Sequence, residues 1–308
     1  MSISLETIID VHLTHRRKSG QSAHRLERAL RKFNIDMQAS SEKFISYKFT
    51  TSWLQREFPT HSNTSKLERY SYVQMLSEWA NALDRRHQHL PKKTIPRDKR
   101  TPNILTPLEM SNFIQQLAEH PTRGGFNGYS SSIITGLMYV TGMRIGETFA
   151  LKRENFDWKE ATVYVPEGKS QCDRYIPLTR STIKTLLEYS KKRDARFPHI
   201  DNPFFLFDRG VAKTRKPYTD LFRKVATRED IVKSLESDIR ENPLRPHDIR
   251  HCFAVNSLIK CYEEDRNIDE EVAKLSILLG HKSVKETYWY IEGVPRLLEI
   301  AMNVGVRS

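Results

Sequence analysis

RPHDIRHCFA at residues 245–254 and LLGHKSVKETYWYIEG at residues 278–293 are the stretches on which the reading of this chain turns. Pro246 opens a helix and sets His247 and Arg250 three apart, on one face near the positive end of the helix dipole. An anion lodged there would meet a guanidinium, an imidazole and free backbone N–H groups together. In the second stretch Gly280 closes a helix and lets His281 turn inward. Tyr290 follows nine residues later on a last turn or helix. Each piece alone has a plainer reading: a capping histidine beside a surface arginine, or an aromatic cluster in a core.

Two upstream stretches complete the set. In TGMRIGE (141–147) a helix ends at Thr141-Gly142, and Arg144 stands at the break, where a guanidinium can hold two phosphate oxygens. Glu147 is expected to orient local structure rather than touch substrate. In PEGKSQCDRYIPL (166–178) two short strands flank a polar turn that carries Lys169. Two arginines for the non-bridging oxygens, a lysine to protonate a leaving alkoxide and a tyrosine to attack phosphorus suit a phosphodiester better than a carbonyl. A phenol is a weak nucleophile at its free pKa of about 10, and adjacent cations favour the phenolate. Tyr288 competes for that role from about 200° around the same helix, while Trp289 reads as packing. Asp248, in the first turn of its helix, is expected to be structural.

Outward from these motifs the chain reads as mainly helical with one small antiparallel sheet. Helices are expected at His24 to Phe33, 41 to 57, Ser65 to Leu83, and from Thr106 through Leu117, the last opened by an N-cap, a proline and a box-closing Glu109. Further helices are expected near Ser130 to Gly142, Arg180 to Arg193, Tyr218 to Thr227, His247 to Lys260 and Glu270 to Leu279. The strands are Ala161 to Pro166 and Arg174 to Leu178. Ser65 and Glu68 form a capping-box pattern, and Leu67, Tyr70, Val73, Leu76, Trp79, Ala80 and Leu83 make one stripe. Phe44, Tyr47, Trp53 and Leu54 are available for a small helical core.

Charge points to a polyanionic partner. The net is +12 over 308 residues with a pI near 9.5. Residues 1–103 hold 19 basic against 10 acidic residues, a net of +9, which suggests contact from that side. Arg25, Arg28, Arg31 and Lys32 give the early helix a basic face. Residues 90–107, LPKKTIPRDKRTPNILTP, hold four prolines and the cations Lys92, Lys93, Arg97, Lys99 and Arg100, the composition of a semi-extended linker. Double-stranded DNA is the expected partner, with these nine cations as backbone contacts. A mean hydropathy of -0.60 and the lack of a long apolar run or a secretory pattern point to a cytoplasmic protein without membrane contact, nucleoid-associated when on DNA. Three cysteines (Cys172, Cys252, Cys261) are too few for a disulfide framework or zinc site, and no carboxylate cluster suits two-metal chemistry. No metal or other cofactor is expected.

The order Arg144, Lys169, His247-x-x-Arg250, His281, Tyr290 resembles the tyrosine recombinase (phage integrase) family across residues 104–292. Each motif alone is weak; all in order are specific. Two features depart from the commoner pattern: the acidic segment CYEEDRNIDEEVAKLS (261–276) is long, and TYWYI replaces a tyrosine followed by threonine and histidine. Both resemble recombinases of certain transposons and multi-recombinase mobile elements. The resemblance implies a two-domain architecture: a helical core-binding domain over 1–90, a linker over 91–104, a catalytic domain over 105–292 and a tail helix over 293–308. The two domains would clamp DNA. Tyr290 would form a 3′-phosphotyrosyl link for integration or excision of a mobile element, with neither ATP nor metal. Arg144 and Arg250 would stabilise the pentavalent phosphorus, His247 would take or relay the phenol proton, His281 would bond a phosphate oxygen and Lys169 would protonate the leaving group. A homotetramer on two DNA sites follows, with other recombinases of the same element as further partners. The tail, with Leu297, Leu298, Ala301 and Met302 as an apolar strip, would dock on a neighbouring protomer, or pack within its own. Two alternatives remain: a DNA-binding accessory protein that keeps the fold without the catalysis, and a type IB topoisomerase that shares the chemistry.

Overall fold

The computed structural model describes residues 3–20, 23–93, 101–122, 124–166, 173–210, 215–228 and 243–293. The chain divides into two compact units, Met1–Lys99 and Arg100–Ser308, a division that falls within the segment 91–104.

Among the described residues the first unit has four helices: α1 Leu5–Lys18, α2 His24–Gln38, α3 Tyr47–Glu57 and α4 Asn63–Leu83. Serines start three of them: the hydroxyls of Ser4, Ser46 and Ser62 accept the N–H groups of Thr7, Phe49 and Ser65. Ser62 thus caps α4, and the expected box of Ser65 with Glu68 lies inside the helix. Likewise α3 begins only at Tyr47, not near residue 41, because Ser46 caps it there. That phase turns Phe49, Thr50, Trp53 and Leu54 inward and leaves Tyr47 exposed, contrary to its expected place in the core. From α2, Leu26, Leu30, Phe33 and Met37 form the facing stripe, with the Phe33 ring edge-on to Trp53 at 4.9 Å. Tyr70, Val73, Leu76 and Ala80 of α4 close the core, while Leu83 is exposed.

The second unit opens with α5 Pro107–Glu119. The Thr106 hydroxyl accepts from Glu109 N–H at 3.3 Å, and the Glu109 carboxylate accepts from Thr106 N–H at 2.7 Å, a complete capping box. Next come α6 Phe126–Thr141 and the short α7 Ile145–Ala150. The sheet has three antiparallel strands in the order β1 Phe156–Asp157, β2 Thr162–Val165 and β3 Arg174–Pro177, with Val163 opposite both Phe156 and Ile176. β1, two residues long, carries no periodicity to read and was not expected. Then follow α8 Arg180–Arg196, α9 Lys216–Ala226, α10 Pro246–Glu263, α11 Ile268–Leu279 and α12 Lys285–Gly293. Helix α10 packs against α6, α11 and α12 and buries Ile249, Cys252, Val255 and Leu258. The turn carrying Lys169 and Cys172 and the tail 294–308 lie outside the described residues. No helix among the described residues is long and apolar enough to cross a membrane.

Candidate active site

The site forms where α6, α10 and α11 end or begin beside one another. Gly142 caps α6 and Gly280 caps α11, both in the left-handed conformation at φ +64° and +62°. Each glycine lets its chain turn sharply, so the carbonyls of Gly142, Leu279 and Gly280 face the start of α10. Arg250, in the first turns of α10 and 1% exposed, donates from Nη1 to Gly142 O at 2.8 Å and from Nη2 to Leu279 O at 2.6 Å. Arg144, between α6 and α7, donates to the Leu279 and Gly280 carbonyls at 3.5 and 3.4 Å. Two guanidiniums thus converge on one helix end.

Glu147 holds them in register. Its carboxylate accepts from Arg144 N–H at 2.9 Å and Arg144 Nη1 at 3.0 Å, and from Arg174 Nη2 of β3 at 2.6 Å. Burial alone would raise its pKa, but the hydrogen bonds from Arg174 and Arg144 outweigh it and keep the carboxyl below its usual range. Arg174 is itself buried and donates from Nε to Leu278 O at 2.7 Å. Glu147 is therefore a support of the arginines, as expected from its spacing. Asp248 is likewise structural: its carboxylate accepts from Arg245 N–H at 2.9 Å across the first turn of α10.

Three imidazoles and one phenol fill the space before these cations. Tyr290 is 3% exposed and lies beside Arg250, whose charge favours its phenolate. Burial pushes the phenol above its usual pKa, while Arg250 and Arg144 pull the other way. The His281 ring lies parallel to Tyr290, centroids 6.3 Å apart, and its Nδ1 shares a 2.7 Å hydrogen bond with the Thr287 hydroxyl. Burial, then Arg250 and Arg144, push His281 down to about 4. His247 keeps an exposed surface, yet surrounding protein atoms and Arg250, Arg144 and Arg245 hold its pKa below the usual value. His247 and His281 are thus neutral at neutral pH, which leaves them able to hydrogen-bond or accept a proton rather than carry fixed charge.

Tyr288 faces elsewhere: it is 37% exposed and donates to Asp269 Oδ1 at 2.7 Å. Of the two tyrosines, Tyr290 is the one that joins the cluster.

The structure adds three residues that the sequence reading did not single out. His251 packs edge-on to His247 at 4.8 Å and lies 5.4 Å from the Tyr290 ring; burial pushes it down to about 3. Its spacing from His247, four residues on one helix, was the available signal. Thr287 lies three residues before Tyr290 on α12, with a comparable signal. Arg174 had none, since its partner Glu147 is 27 residues away.

In the first unit, Arg25, Arg28 and Lys32 line a groove of about 510 Å³ between α2 and α4, with Arg69 and Tyr72 on its other wall. Lys32 is tied to Asp36 at 2.7 Å and Glu57 at 3.0 Å. Arg31 is not among the residues lining this groove and pairs with Asp10 at 2.5 Å. Lys93 Nζ lies 5.4 Å over the Tyr70 ring. Arg97, Lys99 and Arg100 lie outside the described residues.

Known proteins share this chain's features. The sequence profile of the Phage integrase family matches residues 104–294. An integrase/recombinase, y4rB, of Sinorhizobium fredii is 27% identical over 309 residues, covering 96% of this chain and 95% of that protein. Tyrosine recombinase XerD of Ralstonia nicotianae is 27% identical over 204 residues, 65% of this chain and 60% of the relative. The fold matches the integrase of transposon Tn1549, solved in complex with transposon right-end DNA. That match has a TM-score of 0.69 at 16% identity and covers 98% of this chain and 99% of the other.

Proposed function

The chain belongs to the phage integrase family, and from that premise we propose that it is a site-specific DNA recombinase of a mobile element that cleaves through Tyr290. The observation that carries the reading is the buried Tyr290 side chain in the field of Arg250 and Arg144, with the His281 ring parallel to it and His251 packed between it and His247.

Each group has a task its surroundings suit. The phenol oxygen attacks the scissile phosphorus, the P–O bond to the 5′ oxygen breaks, and a 3′-phosphotyrosyl ester and a free 5′ hydroxyl result. Arg250 and Arg144, held by backbone carbonyls and Glu147, present fixed positive charge where negative charge develops on the equatorial oxygens. Because burial keeps Tyr290 protonated, a base is needed, and neutral His247 is competent to take the proton. His281 would bond a phosphate oxygen. Lys169 would return a proton to the leaving oxygen. Religation is the reverse sequence at a new 5′ hydroxyl, so bond energy is conserved without ATP. Double-stranded DNA would be held in part by Arg25, Arg28 and Lys32 in the groove of the first unit. Strand exchange calls for four protomers on two sites.

Covalent trapping tests the proposal. A suicide DNA substrate taken from the flanks of the element is incubated with wild type, Tyr290→Phe and Tyr288→Phe, then resolved on a denaturing gel. An adduct in wild type and Tyr288→Phe but not in Tyr290→Phe is expected. Tight DNA binding with no adduct from wild type would overturn the catalytic reading. Relaxation of a supercoiled plasmid without a cognate site would point to a topoisomerase instead.

A further inference from the structure

We infer that Thr287 is a positioning residue: its hydroxyl donates to His281 Nδ1 and so fixes the imidazole tautomer that offers Nε2–H to a phosphate oxygen. The inference deepens the recombinase reading and rests on it for the identity of the anion.

The geometry is specific. Thr287 is 0% exposed, and its hydroxyl lies 2.7 Å from His281 Nδ1. A helical threonine commonly turns its hydroxyl back to a carbonyl of its own preceding turn. Here the nearby Val284 carbonyl already accepts the N–H groups of Thr287 and Tyr288 at 2.8 and 3.1 Å. Among the described residues the hydroxyl's partner is the imidazole. A buried O–H that has one partner satisfies its donor by donating. Nδ1 must then be the unprotonated nitrogen, and Nε2 carries the hydrogen.

That direction matters because of what surrounds the ring. Burial, then Arg250, Arg144 and Arg174, bias His281 toward its neutral form. A neutral imidazole can either donate or accept at Nε2, and only the donor form suits an anionic oxygen placed between the two arginines. Had Nδ1 carried the hydrogen, a lone pair at Nε2 would face the phosphate.

Thr287 and Tyr290 also stand three apart on α12, hence on one face of that helix. The element that carries the nucleophile therefore also carries the hydroxyl that sets the anion donor. Displacing α12 removes both at once, so His281 is correctly protonated toward substrate only when Tyr290 is in place.

Two measurements on the full chain test this separately. First, long-range 1H–15N spectra of protein labelled at histidine nitrogen, with His281 assigned by its loss in His281→Gln, report the tautomer without DNA. Wild type and Thr287→Ser should show Nε2–H; Thr287→Val, close in shape but without the hydroxyl, should show a mixture. An Nδ1–H tautomer in wild type would overturn the inference. Second, the single-turnover rate of adduct formation at saturating enzyme is compared with the Kd for the same DNA. Thr287→Val should be slower by about 10- to 100-fold, on the scale of losing the outer hydrogen-bond partner of a metal-ligating histidine, with Kd unchanged and most of the rate restored in Thr287→Ser. A folded Thr287→Val with the wild-type rate would sink the inference while leaving the recombinase reading intact. No adduct from wild type would instead remove the recombinase reading, and the spectra would still decide the tautomer.

Discussion

Arg250 reaches the carbonyl of Gly142, 108 residues earlier, at 2.8 Å, and this bond pins the start of α10 to the end of α6. Because Gly142 adopts φ +64°, its carbonyl turns toward the guanidinium instead of continuing the helix. The same guanidinium reaches Leu279, so the break after α6 and the end of α11 are held by one buried cation.

Gly142→Ala should therefore damage both fold and site. The new Cβ would sit 2.4 Å from Phe253 Cδ1, in a backbone conformation that costs an L residue about 1–2 kcal/mol. With about 1–3 kcal/mol more for overpacking, urea unfolding should show a clear loss of midpoint, accompanied by loss of adduct formation. A variant with wild-type stability would contradict the role given to this turn.

Removing the bridge between the two outer arginines should be costlier still. Glu147→Ala leaves Arg174, whose side chain is 4% exposed, without its carboxylate. Breaking a buried pair from one side costs about 3–5 kcal/mol. Glu147→Gln, which keeps an acceptor, should fall between. Equilibrium denaturation of both variants checks the order.

Acid should weaken the fold before any carboxylate titrates. His251 and His281 have pKa values near 3 and 4 when folded, against about 6.5 in an unfolded chain. Between those values the unfolded chain binds more protons, so this stability is present above about pH 6.5 and is lost as pH falls. Glu147, also depressed, adds its loss only below the ordinary carboxylate range. The urea midpoint should decline from pH 7 toward pH 4.5, and His251→Phe should flatten that decline. An unchanged slope in His251→Phe would show that His251 is not responsible.

In the first unit the two neighbouring arginines should separate in a salt titration. Arg28 lines the groove between α2 and α4, whereas Arg31 is paired with Asp10 and Glu6. If DNA phosphates occupy the groove, Arg28→Ala lowers the slope of log K against log salt by about 0.9, one phosphate contact. Arg31→Ala should leave the slope near wild type. Equal effects would mean that Arg31 abandons its carboxylates on DNA.

The elements of this chain were largely legible from residues close together in sequence. Thr106 with Glu109 specified the start of α5, Gly142 and Gly280 specified two stops, and the 3.6-residue stripe of α4 marked Tyr70, Val73, Leu76 and Ala80 for the core, though Leu83 at its end is exposed. Even the errors were local ones. Ser65 has a capping partner, Glu68, three residues on, but Ser62 takes the cap position of α4. β1 is too short to show a period at all.

Sequence alone also determined which residue types were present in which order: Arg144, His247-x-x-Arg250, His281 and Tyr290, enough for a chemical reading. It could not decide between Tyr288 and Tyr290, which differ only in the face of α12 they occupy; the packing of α12 on α10 and α11 puts Tyr290 beside Arg250 and Tyr288 beside Asp269. Nor could it show that Glu147 serves Arg174, that His251 packs beside Tyr290, or that Arg31 pairs with Asp10. Caps and stripes arise from interactions within about one helical turn, so they are written in neighbouring residues. Which charge meets which across 27 or 108 residues depends on how buried faces interlock, and only the folded chain contains that information.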